Sequence, residues 1–261
     1  MSDAKVAIIT GAAGGFGTAI IRKLGSRGVR IVAASRSADK LAQLKKEVGR
    51  DVELTTVAAD LMDDESPRRI VEHALDTFER IDYLVNNAGG GKWAPVHETS
   101  DEDLDETLNI ELRAPFRLCR EVVPHMQAGS AVVNIGSTWG IVGGMGGGAY
   151  CTVKAGLMGL TRAMAIQYGP QGIRTNYLAP HVVRTDMTDA IWDSDWFQRL
   201  NQEMTPMDRD ATVEDVANTV AFLLLDGTYF NGQALAMDGG WTTTKYLAPE
   251  AHFAERVPAG S

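Results

Sequence analysis

The sequence predicts an α/β protein: one doubly wound parallel sheet of about seven strands flanked by helices, a single domain over residues 1–241 with a tail at 242–261. Three observations predict it. Short β-branched runs alternate with longer amphipathic stretches from the first residues on, as right-handed strand–helix–strand crossovers require. No internal repeat, low-complexity tract or linker divides the chain. A glycine-dense turn joins the first strand-like run to the first helical one. At 44% hydrophobic and 23% charged, the 261 residues have the balance of a core-forming protein.

The elements follow in order. Strands are predicted at Val6–Ile9, Val29–Ala33, Val52–Val57, Ile81–Val85, Ala131–Ile135 and Ile173–Leu178. Helical patterns fill the intervals near 15–27, 38–48, 64–79, 101–127 and 149–168, with another near 212–225. Thr99 and Glu102 have the spacing of a capping box for the 101–127 helix, whose start also carries favourable acids. Two stretches break the pattern: the glycine run 143–148 and the segment Met187–Asp210, rich in aromatic residues and methionine.

With 34 acidic against 25 basic side chains, the net charge is −9. That argues against nucleic acid or an anionic membrane as partner, since either needs a basic face. Cys119 and Cys151 cannot build a disulfide framework, and no Cys/His spacing suggests a metal site. The start of the chain shows no leader pattern, and the longest apolar run, Val220–Leu225, falls far short of the roughly 20 residues that span a bilayer. A cytoplasmic protein is expected.

The turn Thr10-Gly11-Ala12-Ala13-Gly14-Gly15-Phe16-Gly17 gives the backbone close access to a phosphate, which the following helix N-terminus would hold. Its spacing differs from GxGxxG. Together with Asn86-Asn87-Ala88-Gly89 after the fourth strand and Tyr150-x-x-x-Lys154, it resembles the short-chain dehydrogenase/reductase family, with regular spacing from about residue 5 to Trp241. The resemblance implies a Rossmann fold, an oxidoreductase activity and a nicotinamide cofactor. It places Gly11, Gly15, Phe16, Gly17, Asn87, Ala88, Gly89, Tyr150, Lys154, Pro180, Val183 and Thr185 at the cofactor. Asp60 either contacts the adenine, as the family does there, or caps the next helix. The second strand ends Ala33-Ala34-Ser35-Arg36. An acid there would repel a 2′-phosphate; Ser35 and Arg36 accept one, so NADP(H) is favoured and NAD(H) stays open.

Spacing of four puts Tyr150 and Lys154 on one helix face. A free phenol titrates near 10, and an adjacent ammonium draws it toward the working pH. By resemblance Ser137 holds the substrate oxygen, Tyr150 exchanges a proton with it, Lys154 assists, and Asn109 matches the family's fourth catalytic position. Pro180-His181-Val182-Val183-Arg184-Thr185 carries His181 where the family has glycine, so His181 either meets substrate or faces solvent.

Met187, Trp192 and Trp196 belong either to a lid at about 186–210 over a hydrophobic ketone or to ordinary helix packing. Trp139 and Trp93 are expected to border the same cavity. Family members that reduce 3-oxoacyl groups on acyl carrier protein hold the acidic carrier with arginines; Ala128 and Gln171 stand at the corresponding places here. Six carboxylates between Glu98 and Glu106 would also repel it. The expectation is a free ketone or secondary alcohol as substrate and, by resemblance, a homotetramer or homodimer. The alternatives are a 3-oxoacyl-[acyl-carrier-protein] reductase and a non-catalytic NADP-sensing protein.

Overall fold

The strands β1 (Val6–Thr10), β2 (Arg30–Ser35), β3 (Leu54–Ala58), β4 (Tyr83–Asn86), β5 (Ala131–Ile135), β6 (Arg174–Pro180) and β7 (Ala234–Met237) form one parallel sheet. Their order is β3-β2-β1-β4-β5-β6-β7. The computed structural model describes residues 4–90, 93–185, 188–201 and 203–243.

β1 shows why these runs are continuously apolar. Ala7 and Ile9 join a core on one face of the sheet with α1 (Gly15–Gly25), α2 (Ala38–Val48) and α8 (Val213–Ala221). Val6 and Ile8 join a second core on the other face with α3 (Ser66–Phe78), α5 (Ala114–Val122) and α6 (Gly148–Tyr168). A strand covered on both faces has no side free for polar residues.

The helix foreseen over 101–127 is not straight. α4 (Asp101–Leu108) passes through a π turn, Asn109–Arg113, into α5. Pro115 supplies the reason, having no N–H to bond the carbonyl four residues back. The Ala114 N–H instead reaches the carbonyl of Asn109. The cap also lies one residue from the expected place: the Ser100 side chain accepts from the Asp103 N–H at 3.1 Å, while Thr99 donates to the Pro95 carbonyl at 3.0 Å.

The segment 188–211 contains α7 (Asp195–Asn201) and packs on its own aromatics, with Trp192 and Phe197 buried at a centroid separation of 5.6 Å. Met187 and the tail beyond Thr243 lie outside the described residues. Among the described residues no helix is long and apolar enough to cross a membrane.

Candidate active site

Six of the seven strands deliver expected site residues at their carboxyl ends. The glycine-rich turn follows β1, Ser35 ends β2, Asp60 follows β3, Asn87 follows β4, Ser137 follows β5, and Pro180 ends β6. The chain switches direction between β1 and β4, which opens a crevice at the carboxyl ends where doubly wound sheets bind ligands.

At the turn, Gly11 has φ +60, and a Cβ there would lie 2.8 Å from the Ala88 Cα. A Cβ on Gly17 would meet the Gly11 carbonyl oxygen at 2.4 Å. The turn is therefore bound tightly to its own helix and to the end of β4. Gly14 caps α1 without a side-chain hydrogen bond, and the first turn holds no acid, so the positive helix end has no counter-charge of its own. A Cβ on Gly15 would touch the Thr185 methyl at 3.2 Å, which places the loop after β6 against this helix start. This cradle fits a dinucleotide pyrophosphate in shape and charge.

The other expected cofactor residues serve partly as scaffold. The Asn87 side chain donates to the carbonyls of Thr10 (2.9 Å) and Gly11 (3.2 Å), and the N–H groups of Asn87 and Ala88 both reach the Thr10 hydroxyl at 3.0 Å. Phe16 packs half-buried against the core. Val183 is buried and bridges to Ala211, and its carbonyl accepts from the Thr188 hydroxyl at 2.9 Å. Asp60 accepts the Met62 N–H at 3.0 Å in the turn after β3; the cap position of α3 is Glu65, so Asp60 does not cap that helix. Arg36 is exposed at the end of β2 and forms no ion pair among the described residues.

Ser137 and Tyr150 come within reach of each other: the serine hydroxyl, which accepts the Trp139 N–H at 3.1 Å, draws the Tyr150 proton affinity down. Tyr177 fixes the backbone beneath, accepting from the Ser137 N–H at 3.0 Å and donating to its carbonyl at 3.1 Å. One turn along α6, the Lys154 ammonium lies 5.3 Å from the Tyr150 ring centroid and donates to the Ile135 carbonyl at 3.0 Å. Burial pushes the Tyr150 phenol above its ordinary value, outweighing the expected pull of Lys154.

The residue expected at the fourth catalytic position bonds elsewhere. Asn109 turns its side chain to Arg113, accepting at 3.3 Å on an exposed face. The side chain that meets Lys154 is Glu111, buried, with Oε2 2.7 Å from Nζ and Oε1 accepting the Gly90 N–H at 2.8 Å. Burial drives the Lys154 ammonium toward neutrality, but the Glu111 carboxylate more than reverses this and holds it above its ordinary value. Counting residues along an unbroken helix misses Glu111, because the π turn alters which positions face inward. Pro115, four residues on, was the available signal.

Trp139 stands edge-on to Tyr150 with centroids 6.2 Å apart, and Trp93 lies 5.7 Å beyond it. A Cβ on Gly144 would fall 2.2 Å from the Trp139 ring, so part of the glycine run exists to seat that indole. The structure brings neither His181 nor Trp192 to this wall. With Phe197, Met204, Met207 and Asp238 they line a separate cleft of about 910 Å³, between the 188–211 segment, β7 and α8, whose walls include neither Ser137 nor Tyr150. His181 stacks on Trp241 at 4.6 Å, and burial pushes its imidazole down to about 4. Trp196 is exposed.

The geometry has counterparts. The sequence pattern of a family described as Enoyl-(Acyl carrier protein) reductase matches residues 11–242. The chain is 35% identical to a D-threitol dehydrogenase of Mycolicibacterium smegmatis over 244 residues, covering 92% of this chain and 94% of that one. It is 33% identical to a 3-oxoacyl-[acyl-carrier-protein] reductase of Thermotoga maritima over 242 residues, covering 91% and 98%. Among solved structures, a short-chain dehydrogenase/reductase from Serratia marcescens superposes with a TM-score of 0.86 at 30% identity, covering 91% of this chain and 98% of that one. A blue fluorescent protein from a metagenomic library, in complex with NADPH, does so with 0.85 at 34% identity, covering 91% and 97%. Sheet order, glycine cradle, Ser137–Tyr150–Lys154 geometry and these similarities agree, and the chain belongs to the short-chain dehydrogenase/reductase family of oxidoreductases.

Proposed function

We propose that the protein is an NADP(H)-dependent oxidoreductase that interconverts a ketone and a secondary alcohol on a free small molecule, with Tyr150 as general acid and base. The observation that carries this reading is the meeting of Ser137, Tyr150 and Lys154 at the sheet edge beside the uncapped start of α1.

A nicotinamide cofactor, when bound, supplies or takes the hydride. The chain's residues do the rest. In reduction, negative charge grows on the carbonyl oxygen; the Ser137 hydroxyl donates to it and Tyr150 gives it a proton. In oxidation the same phenol, ionised, takes the proton back. Lys154 holds its charge beside the tyrosine, and the Ile135 carbonyl and Glu111 fix where that charge sits.

Preference for NADP(H) rests on Ser35 and Arg36: no carboxylate stands there to repel a 2′-phosphate, and an exposed guanidinium is free to pair with one. The NADPH-bound structural neighbour supports it. A hydrophobic or aromatic ketone suits the wall formed by Trp139 and Trp93. The carrier-bound reading draws on the 3-oxoacyl relative, but the exposed acids at the start of α4 present like charge to an acidic carrier.

The test is NADPH oxidation against a panel of free ketones and a 3-oxoacyl carrier substrate, with the wild type and Tyr150→Phe. Turnover of a free ketone, reduced about 100-fold or more by the loss of the phenol, is expected. Turnover that survives in Tyr150→Phe would overturn the mechanism. Turnover of the carrier substrate alone would favour the second reading, and none with any carbonyl would favour a non-catalytic sensor.

A further inference from the structure

Glu111 is a charged group that the family resemblance did not supply. Its carboxylate is buried at 2% exposure, and the space it fills is made for it: a Cβ on Gly89 would stand 2.6 Å from Oε1. One oxygen takes the Gly90 N–H at 2.8 Å and the other lies 2.7 Å from the Lys154 ammonium. The π turn that aims it inward is held by the missing N–H of Pro115 and the Ala114-to-Asn109 bond. Four structural features thus converge on one carboxylate beside the reacting pair.

We propose that Glu111 is a positioning residue for the proton transfer: by closing a buried ion pair with Lys154, it withholds the lysine's charge from Tyr150 and keeps the phenol protonated into the alkaline range. The ammonium has three donors. Two are used, on Glu111 and on the Ile135 carbonyl, so the lysine reaches Tyr150 already paired.

The groups facing the phenol are few. From α6 come Lys154 and Cys151, from the π turn Glu111, from the start of the loop after β5 the Ser137 hydroxyl, and from β6 Tyr177. Tyr177 is pushed up to about 12, first by burial, and so stays neutral through the range that matters. Lys154 lowers the proton affinity of Tyr150 and Glu111 raises it. The consequence concerns pH range and not the direction of the reaction, which the equilibrium fixes. Reduction needs the phenol and oxidation needs the phenolate, so the pair extends the alkaline reach of reduction and moves the rise of oxidation to higher pH.

This rests on Tyr150 as the proton donor, and the test separates the two ideas. Ultraviolet titration of the full chain, wild type minus Tyr150→Phe, reads the Tyr150 phenolate without substrate. The midpoint is expected above the ordinary tyrosine value of 10.0. In Glu111→Gln it is expected to fall by about 1–2 pH units, as an unpaired ammonium takes effect. The acid limb of kcat/KM for alcohol oxidation should move with it, and Glu111→Asp should restore both. A purely structural role lowers thermal stability and leaves the midpoint in place; a folded Glu111→Gln with an unmoved midpoint overturns the proposal. If Glu111→Gln does not fold, the wild-type midpoint decides, and a value below 10.0 overturns it. Residual turnover in Tyr150→Phe would instead overturn the assignment of Tyr150.

Discussion

Tyr150 sits among groups that pull its phenol in opposite directions: burial and Glu111 hold the proton on, while Lys154 and the Ser137 hydroxyl draw it off. A tyrosine four residues before a lysine does not by itself become a base; the other charges within reach decide. Arg36 is the contrary case, an exposed cation with no ion pair among the described residues. A charge-assisted hydrogen bond contributes about 1.5–3 kcal/mol. Arg36→Ala is therefore expected to raise the KM for NADPH about tenfold or more while leaving the KM for NADH nearly unchanged. Steady-state kinetics with both cofactors checks this; equal effects on the two would remove the 2′-phosphate contact from the account.

The kink between α4 and α5 and the glycine run before α6 are both local irregularities that place side chains at the site. In the first, Pro115 breaks the hydrogen-bond ladder and Glu111 swings to Lys154. In the second, Gly144 and Gly147 leave room for the Trp139 ring, where a Cβ would come within 2.2 and 2.7 Å of it. Gly144→Ala must displace that indole. The expected result is a several-fold rise in KM for an aromatic ketone with the KM for NADPH unchanged. A KM for ketone that stays the same would mean that Trp139 does not border the substrate.

Packing across the whole molecule explains the buried charges away from the reaction. Asp82 accepts from the Val6 N–H at 2.9 Å and meets Lys5 at 3.0 Å and Arg80 at 2.7 Å, so three separate donors compensate one carboxylate at the start of the sheet. His181 is treated differently. Burial drives it down to about 4 against the opposing pull of Asn201 and Asp238. Above its ordinary 6.5 it is neutral folded or unfolded. Between 6.5 and about 4 only the unfolded chain takes up the proton, so stability is lost as pH falls through that window. The loss due to this residue is about 2 kcal/mol at pH 5. His181→Phe, which keeps a ring on Trp241, should shrink the drop in Tm between pH 7 and pH 5. An undiminished drop would mean that the imidazole is charged in the folded chain.

The sequence by itself determined six of the seven strands, the parallel sheet and the glycine-rich turn, and it singled out Ser137, Tyr150 and Lys154. The reason is physical: each depends on local periodicity or on short, fixed spacing, such as four residues between Tyr150 and Lys154. It placed the cap on Thr99 and passed over Glu111 because both depend on helix phase, and one residue of error changes the face. Only the tertiary structure decided that Glu111 meets Lys154, that His181 and Trp192 line a cleft apart from Tyr150, and that Trp139 rests on the glycine run. Glu111 and Lys154 lie far apart along the chain, as do His181 and the Trp241 on which it stacks. Their meeting depends on how helices and loops settle on the sheet, which local pattern does not encode.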